Sequence, residues 1–198
     1  MTRVVAAVFA SLAAVLPAAG QPGDSPPLAI GAERPGISFH RLDGAEIPTW
    51  EELEGDLVVV DFWASWCQPC VAAFPDLNEL QARFGGRGVR FLSVTYEPEA
   101  FVRSFLAEHP LRTTVALDPE LASFASFNAW GIPVVYLFDR RGRLLTSLHP
   151  VHLTAELIEK ALNGEPLEVE EARGWSDPTG AREYFASLRD ALSAEEEP

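Results

Sequence analysis

The chain has 198 residues, 47% of them hydrophobic and 22% charged, and it carries a net charge of −14. That length suits one domain with attachments, and 12 Phe and 5 Trp supply a core that needs no disulfide staples. So acidic a chain repels phosphate backbones, which argues against nucleic acid as a partner, and two cysteines cannot build a disulfide-rich scaffold or a four-thiolate zinc site.

Residues 1–20 read as a secretory signal peptide. Arg3 precedes a small and apolar stretch from Val4 to Leu16, and Pro17-Ala18-Ala19-Gly20 offers a small-x-small cleavage site before Gln21. The stretch is shorter than the ~20 residues of a bilayer-spanning helix, and an uncleaved N-terminal anchor is the alternative. No cysteine lies near this site for lipid attachment. The expectation is export to a periplasmic or other extracytoplasmic space, where disulfides persist. Residues 21–34 follow as a flexible leader, rich in Pro, Gly and Ser over Gln21 to Pro27. A single domain spans 35–163, and 164–198 form an extension.

Within the domain, Leu57 to Phe62 is nearly continuous apolar sequence, as expected of a strand covered on both faces. Val71 to Phe84 predicts a helix, with Phe74, Leu77, Leu80 and Phe84 at helical spacing and Pro75 as a kink. A strand over Val89 to Val94 and a helix over Glu99 to Glu108 come next, then a helix over Pro119 to Asn128. Pro133 to Phe138 and Leu144 to Leu148 form a hairpin whose turn, Asp139 to Arg143, uses Gly142 for a positive φ. A last helix runs from Thr154, its cap, to Leu162, with Gly164 beyond its end. This order implies an α/β fold with a central mixed sheet flanked by helices on both faces. The extension holds ten acids and three arginines, a charge of −7, and one helix over Thr179 to Leu192 with an apolar stripe of Tyr184, Phe185, Leu188 and Leu192.

The chemistry lies in Trp66-Cys67-Gln68-Pro69-Cys70. A strand ends at Phe62 and a helix begins close by, which places Cys67 at a helix N-terminus, where free N–H groups and the macrodipole favour a thiolate. A thiol in that setting has its pKa lowered from ~8.5 toward ~7 or below, as a nucleophile at neutral pH requires. Residues i and i+3 share a helix face, so Cys70 can close a disulfide with Cys67 or resolve a mixed disulfide formed there. A structural disulfide spanning four residues removes little chain entropy and is a poor staple. A zinc site needs two more ligands, from among His40, His109, His149 and His152, and Val71 after Cys70 excludes a haem-attachment Cys-x-x-Cys-His run.

Val58 to Cys70, followed by Phe74-Pro75, resembles the thioredoxin superfamily. The frame is similar to its exported TlpA/ResA-type branch: a leader over Gly36 to Gly44, Leu53-Glu54-Gly55 before the strand, Trp130-Gly131-Ile132-Pro133, and Leu137 to Gly142. The resemblance covers roughly residues 35–163. It implies a thioredoxin-like fold and a thiol–disulfide oxidoreductase that reduces disulfides in client proteins, restored by a membrane thiol electron donor. It implies no cofactor beyond the Cys67–Cys70 pair. Pro133 matches the cis-proline facing the dithiol, and Asp61 matches the buried carboxylate that accepts the Cys70 proton. Trp66, Gln68, Pro69, Trp130 and Ile132 line the expected substrate surface, whereas Trp63 reads as core. The branch is associated with cytochrome c maturation and commonly carries Glu six positions after the first cysteine and Asn at the carboxylate position. This chain has Ala73 and Asp61 there, so its local electrostatics are thioredoxin-like on a TlpA-like frame. Two other functions stand beside this one: a thioredoxin-fold peroxidase, and a copper-binding or copper-delivery module using His149 and His152.

Overall fold

The computed structural model describes residues 28–37, 39–44, 48–129 and 131–167. The signal segment, residues 21–27 of the leader, the extension beyond residue 167 and Trp130 lie outside the described residues. In chain order the elements are β1 (His40–Arg41), β2 (Leu57–Phe62), α1 (Gln68–Ala72), α2 (Phe74–Phe84), β3 (Val89–Thr95), α3 (Glu99–Glu108), β4 (Thr114–Leu117), α4 (Ala122–Phe127), β5 (Val134–Phe138), β6 (Leu144–Leu148) and α5 (Ala155–Asn163). A 3₁₀ turn over Pro150–His152 separates β6 from α5.

The six strands form one mixed sheet in the order β1-β4-β3-β2-β5-β6. Strand β2 lies between β3, which it pairs in parallel, and β5, which it pairs antiparallel. All six of its residues are buried, which explains its unbroken apolar sequence. Alternation along the strand divides them between two cores. Val58, Val60 and Phe62 join Val102, Phe124, Phe127 and Tyr136 on one face. Leu57 and Val59 join Leu77, Leu80, Phe84, Ile158 and Ala161 on the other. Helices therefore cover both faces, as expected. Phe62 anchors the first core, its ring meeting Phe124 at 4.8 Å and Phe127 at 5.2 Å.

Several boundaries differ from the sequence expectation. The helix expected over Val71 to Phe84 begins earlier, at Gln68, and breaks at Ala73. Pro75 has no N–H to give the carbonyl of Val71, so the first helix closes on itself, with the Ala73 N–H turning back to the Cys70 carbonyl at 3.1 Å. Proline then occupies the first turn of α2, where the missing donor costs nothing. The helix expected over Pro119 to Asn128 is shorter, because Leu121 (φ 56°) and Asn128 (φ 55°) both adopt left-handed conformations at its ends. The Asp118 carboxylate starts it by accepting from the backbone N–H groups of Ala122, Ser123 and Phe124 at 2.9–3.0 Å. Strand β5 starts at Val134, one residue after Pro133, since proline cannot donate to the ladder. Strands β1 and β4 were not expected; two and four residues long, they pair with each other antiparallel at the sheet edge.

The leader also differs. Residues 31–34 are bound rather than loose: Gly31 N–H donates to the Leu144 carbonyl at 2.8 Å, and Arg34 N–H to the Gly142 carbonyl at 2.9 Å. Gly142 has the expected positive φ of 74°, and a Cβ there would meet the Arg34 side chain at 2.7 Å. At the other end, Thr154 caps α5 by accepting from Leu157 N–H at 3.2 Å, and Gly164 (φ 70°) ends it.

Candidate functional site

Strand β2 delivers the chain to the site. Its end, Phe62, pairs with Val134 of β5, so Pro133 lies beside the exit of β2 toward Trp63. The Ile132–Pro133 peptide bond is cis. Cys67 caps α1 in an extended conformation, and Cys67 and Cys70 form a disulfide. The Cys67 sulfur accepts the backbone N–H of Cys70 at 3.3 Å. A thiolate released at Cys67 is stabilised by the same donor. Cys67 is 4% exposed and Cys70 2%, whereas Gln68 and Pro69 between them are exposed. Both cysteines thus lie buried beneath the exposed Gln68-Pro69 turn that separates them.

Trp63 is fully buried and packs edge-on against Phe74 with centroids 5.0 Å apart, a core residue as its position implied. Trp66 is 51% exposed beside the disulfide, and its indole N–H donates to the Tyr96 hydroxyl at 2.7 Å. Ile132 turns its side chain into the core, so its contribution to the surface is backbone.

Asp61 is the penultimate residue of β2 and is 3% exposed. Burial pushes its carboxyl up to about 7, opposed by a hydrogen bond from the Ser93 side chain. Its Oδ2 has no hydrogen-bond partner among the described residues. A buried carboxyl of this kind exchanges a proton near neutral pH, as an acid–base group must.

One residue at the site has no signal in the motif. Glu97, in the turn after β3, is 7% exposed and accepts from both the backbone N–H of Ser65 (2.7 Å) and its hydroxyl (2.6 Å). It therefore ties the segment leading into Cys67 to the neighbouring strand. Its place after the C-terminal end of a parallel strand, where α/β sheets gather their functional groups, was the available clue.

His149 and His152 sit just past β6, whose last residue pairs with Val135, so they lie at the same end of the sheet as Pro133. Their rings are 6.4 Å apart, and the Nδ1 of His149 accepts from Val151 N–H at 3.3 Å. Among the described residues no group of three His, Cys, Asp or Glu side chains is placed to hold a metal ion.

Residues 29–155 match the family model described as Redoxin. The chain is similar to the thiol-disulfide oxidoreductase ResA of Bacillus cereus, with 28% identity over 126 residues, covering 63% of this chain and 72% of that one. It is also similar to the thioredoxin-like protein YneN of Bacillus subtilis, at 27% identity, covering 67% of this chain and 78% of that one. Among solved structures it matches a Chlorobium tepidum protein assigned as a thiol:disulfide interchange protein DsbE, with a TM-score of 0.62 and 30% identity, over 68% of this chain and 99% of that one. The mixed sheet, the cis-proline near the exit of β2, the helix-capping Cys-x-x-Cys pair and these matches lead to one assignment: the chain belongs to the Redoxin family, a ResA-like member of the thioredoxin superfamily whose Cys67–Cys70 pair carries thiol–disulfide exchange.

Proposed function

We propose that this protein is an exported reductase of disulfides in client proteins, working outside the cytoplasm through Cys67 and Cys70. The observation that carries this reading is the Cys67 sulfur at the head of α1, supported by the Cys70 amide, in a chain that also carries a cis Ile132–Pro133 bond. In the reduced protein the Cys67 thiolate attacks a client disulfide. That S–S bond breaks, one client sulfur leaves as a thiolate and takes a proton from water, and a mixed disulfide remains on Cys67. Cys70 then loses its proton to the Asp61 carboxylate and attacks the Cys67 sulfur, expelling the second client thiolate and leaving the Cys67–Cys70 disulfide. Two electrons have passed to the client, and a membrane thiol donor returns them; no separate cofactor takes part. Pro133 and the backbone of Ile132 align the client chain, with Trp66, Gln68, Pro69 and Trp130 contributing the contact surface.

The N-terminal segment directs export. Among the described residues no helix is long and apolar enough to cross a membrane.

A Cys70→Ser variant tests the function, because it holds clients on Cys67 as mixed disulfides. The expected result is a set of extracytoplasmic proteins released by reductant and absent when Cys67 is also replaced. Absence of any trapped protein overturns the reading. The reduction potential gives direction: a value near or below about −270 mV marks a reductase, and one near about −120 mV an oxidant. Consumption of peroxide at rates comparable to disulfide reduction would favour the peroxidase instead.

A further inference from the structure

The Asp61 carboxyl is engaged on one side only. Asp61 faces Ser93 across the parallel β2–β3 ladder, and Ser93 is the side chain that hydrogen-bonds it. Ser93 is 1% exposed, and its Oγ accepts a 2.7 Å hydrogen bond from the hydroxyl of Thr113, the residue before β4. A hydroxyl has one proton to donate. With Thr113 donating to its oxygen, Ser93 can direct its own O–H to Asp61. The loop that carries Thr113 is strapped to α2, since Asn78 donates to the Pro110 carbonyl at 2.8 Å and accepts from Arg112 N–H at 2.6 Å.

Opposite this chain of hydroxyls, Oδ2 of Asp61 is buried with no partner among the described residues. Leaving a buried acceptor unpaired costs about 1–3 kcal/mol. Asp61, Ser93 and Thr113 set three polar groups in a row beside Leu57, Val59, Phe91 and Val135, an arrangement that apolar packing alone does not require.

We propose that Ser93, oriented by Thr113, is a positioning residue for Asp61: it fixes one side of the carboxyl and leaves Oδ2 as the oxygen that takes the Cys70 proton. This rests on the role of Asp61 as proton acceptor given under the proposed function. In the resolving step the S–H bond of Cys70 breaks and an O–H bond forms at Oδ2. The sulfur's electron pair forms the Cys67–Cys70 bond as the mixed disulfide breaks, and the client leaves as a thiolate. No external oxidant is required.

Donation from Ser93 favours the ionised carboxyl against the effect of burial. The residue opposite from β5 is Val135, and α2 brings Leu77 and Leu80 to the same face. Among the described residues no charged side chain enters the balance that sets the ionisation of Asp61; the other ionisable side chains at this end of β2 are Glu97, which is bound to Ser65, and the cysteine pair. The acidity of Asp61 is therefore set by burial and by Ser93, on which Thr113 acts through its own hydrogen bond.

The test combines two readouts on the full chain. The first is the carboxyl titration of Asp61, followed by NMR of ¹³C-labelled aspartate in the oxidised protein, for wild type, Ser93→Ala, Ser93→Thr and Thr113→Val. The second is the pH profile of the resolving step, followed by stopped flow in the reduced protein. Ser93→Ala is expected to raise the proton affinity of Asp61 about tenfold. Thr113→Val shifts it in the same direction by less, and Ser93→Thr restores it. The resolving profile moves with the carboxyl, while attack by Cys67 is unchanged. A purely structural role would lower the Tm without moving either midpoint. An unmoved carboxyl midpoint in Ser93→Ala overturns the positioning role and leaves Asp61 as acceptor. A moved carboxyl midpoint with an unmoved resolving profile overturns Asp61 as acceptor, and the proposal with it.

Discussion

Glu97 holds Ser65 at two points, its carboxylate accepting the backbone N–H at 2.7 Å and the side-chain hydroxyl at 2.6 Å. Ser65 stands two residues before Cys67, so the conformation that presents the first cysteine depends on a residue 32 positions away. Hydrogen bonds to a charged group contribute about 1.5–3 kcal/mol each, and truncation leaves buried donors unmet. Glu97→Ala is expected to lower stability by about 2–3 kcal/mol in urea unfolding and to slow the first attack on a disulfide. Glu97→Gln keeps one acceptor and recovers part of both. Wild-type attack rates in Glu97→Ala would show that the presentation of Cys67 does not depend on this anchor.

Asp61 separates the two chemical steps. If it accepts the proton of Cys70, Asp61→Asn slows resolution of the mixed disulfide and leaves attack by Cys67 intact, since that attack starts from a thiolate already supported by the Cys70 amide. Stopped-flow reduction resolves the two phases. Equal slowing of both would remove Asp61 from the role.

The same carboxyl gives stability a pH dependence opposite to that of a salt-bridged aspartate. Its folded value is raised from 3.8 to about 7, so between those values the native state holds a proton that the unfolded chain has released. Stability of the oxidised protein therefore falls as pH rises from about 4 to about 7 and levels off above, at about 1.4 kcal/mol per pH unit and at most about 4 kcal/mol in all. Asp61→Asn removes this component. Urea unfolding at pH 8 should find the variant more stable than wild type, and at pH 4 the two should be close. A constant difference across that range would mean that the buried carboxyl is not protonated in the native state.

If Trp66 meets the client, it does so with a half-exposed ring next to Cys67, held by its bond to the Tyr96 hydroxyl. Trp66→Ala is expected to reduce kcat/KM for a protein disulfide about tenfold or more while changing that for a small disulfide reagent far less. Tyr96→Phe, which removes only the hydroxyl, gives a smaller loss in the same direction. Equal losses on both substrates would point to an effect on Cys67 rather than on docking.

Much of the site is legible in the sequence because its signals are local. The apolar run of β2, the cysteine spacing, α3 with its expected bounds, and the Thr154–Gly164 frame of α5 each follow from neighbouring residues. The cis-proline is different, since nothing in Ile132-Pro133 by itself dictates the isomer and only the family resemblance implied it. The elements without a local signal depend on tertiary pairing. Strand β4 is four residues whose extended form is fixed by β3 and β1, and β1 is two residues defined by β4. Ser93 in β3 and Glu97 in the turn after it have ordinary spacing, and their roles appear only when that strand lies against β2. The bound leader at residues 31–34 likewise depends on a hairpin more than 100 residues away.

The hydrogen bond between the Cys70 amide and the Cys67 sulfur also bears on the speed of electron exchange. The donor is already aimed at the sulfur while the disulfide is intact, and it belongs to the first turn of a helix, so it does not have to be recruited when the bond opens. The negative charge that appears on Cys67 during reduction therefore meets an oriented dipole instead of a solvent shell that must rearrange. The oxidised and reduced forms can share one backbone at this turn, which keeps the reorganisation accompanying each turnover small.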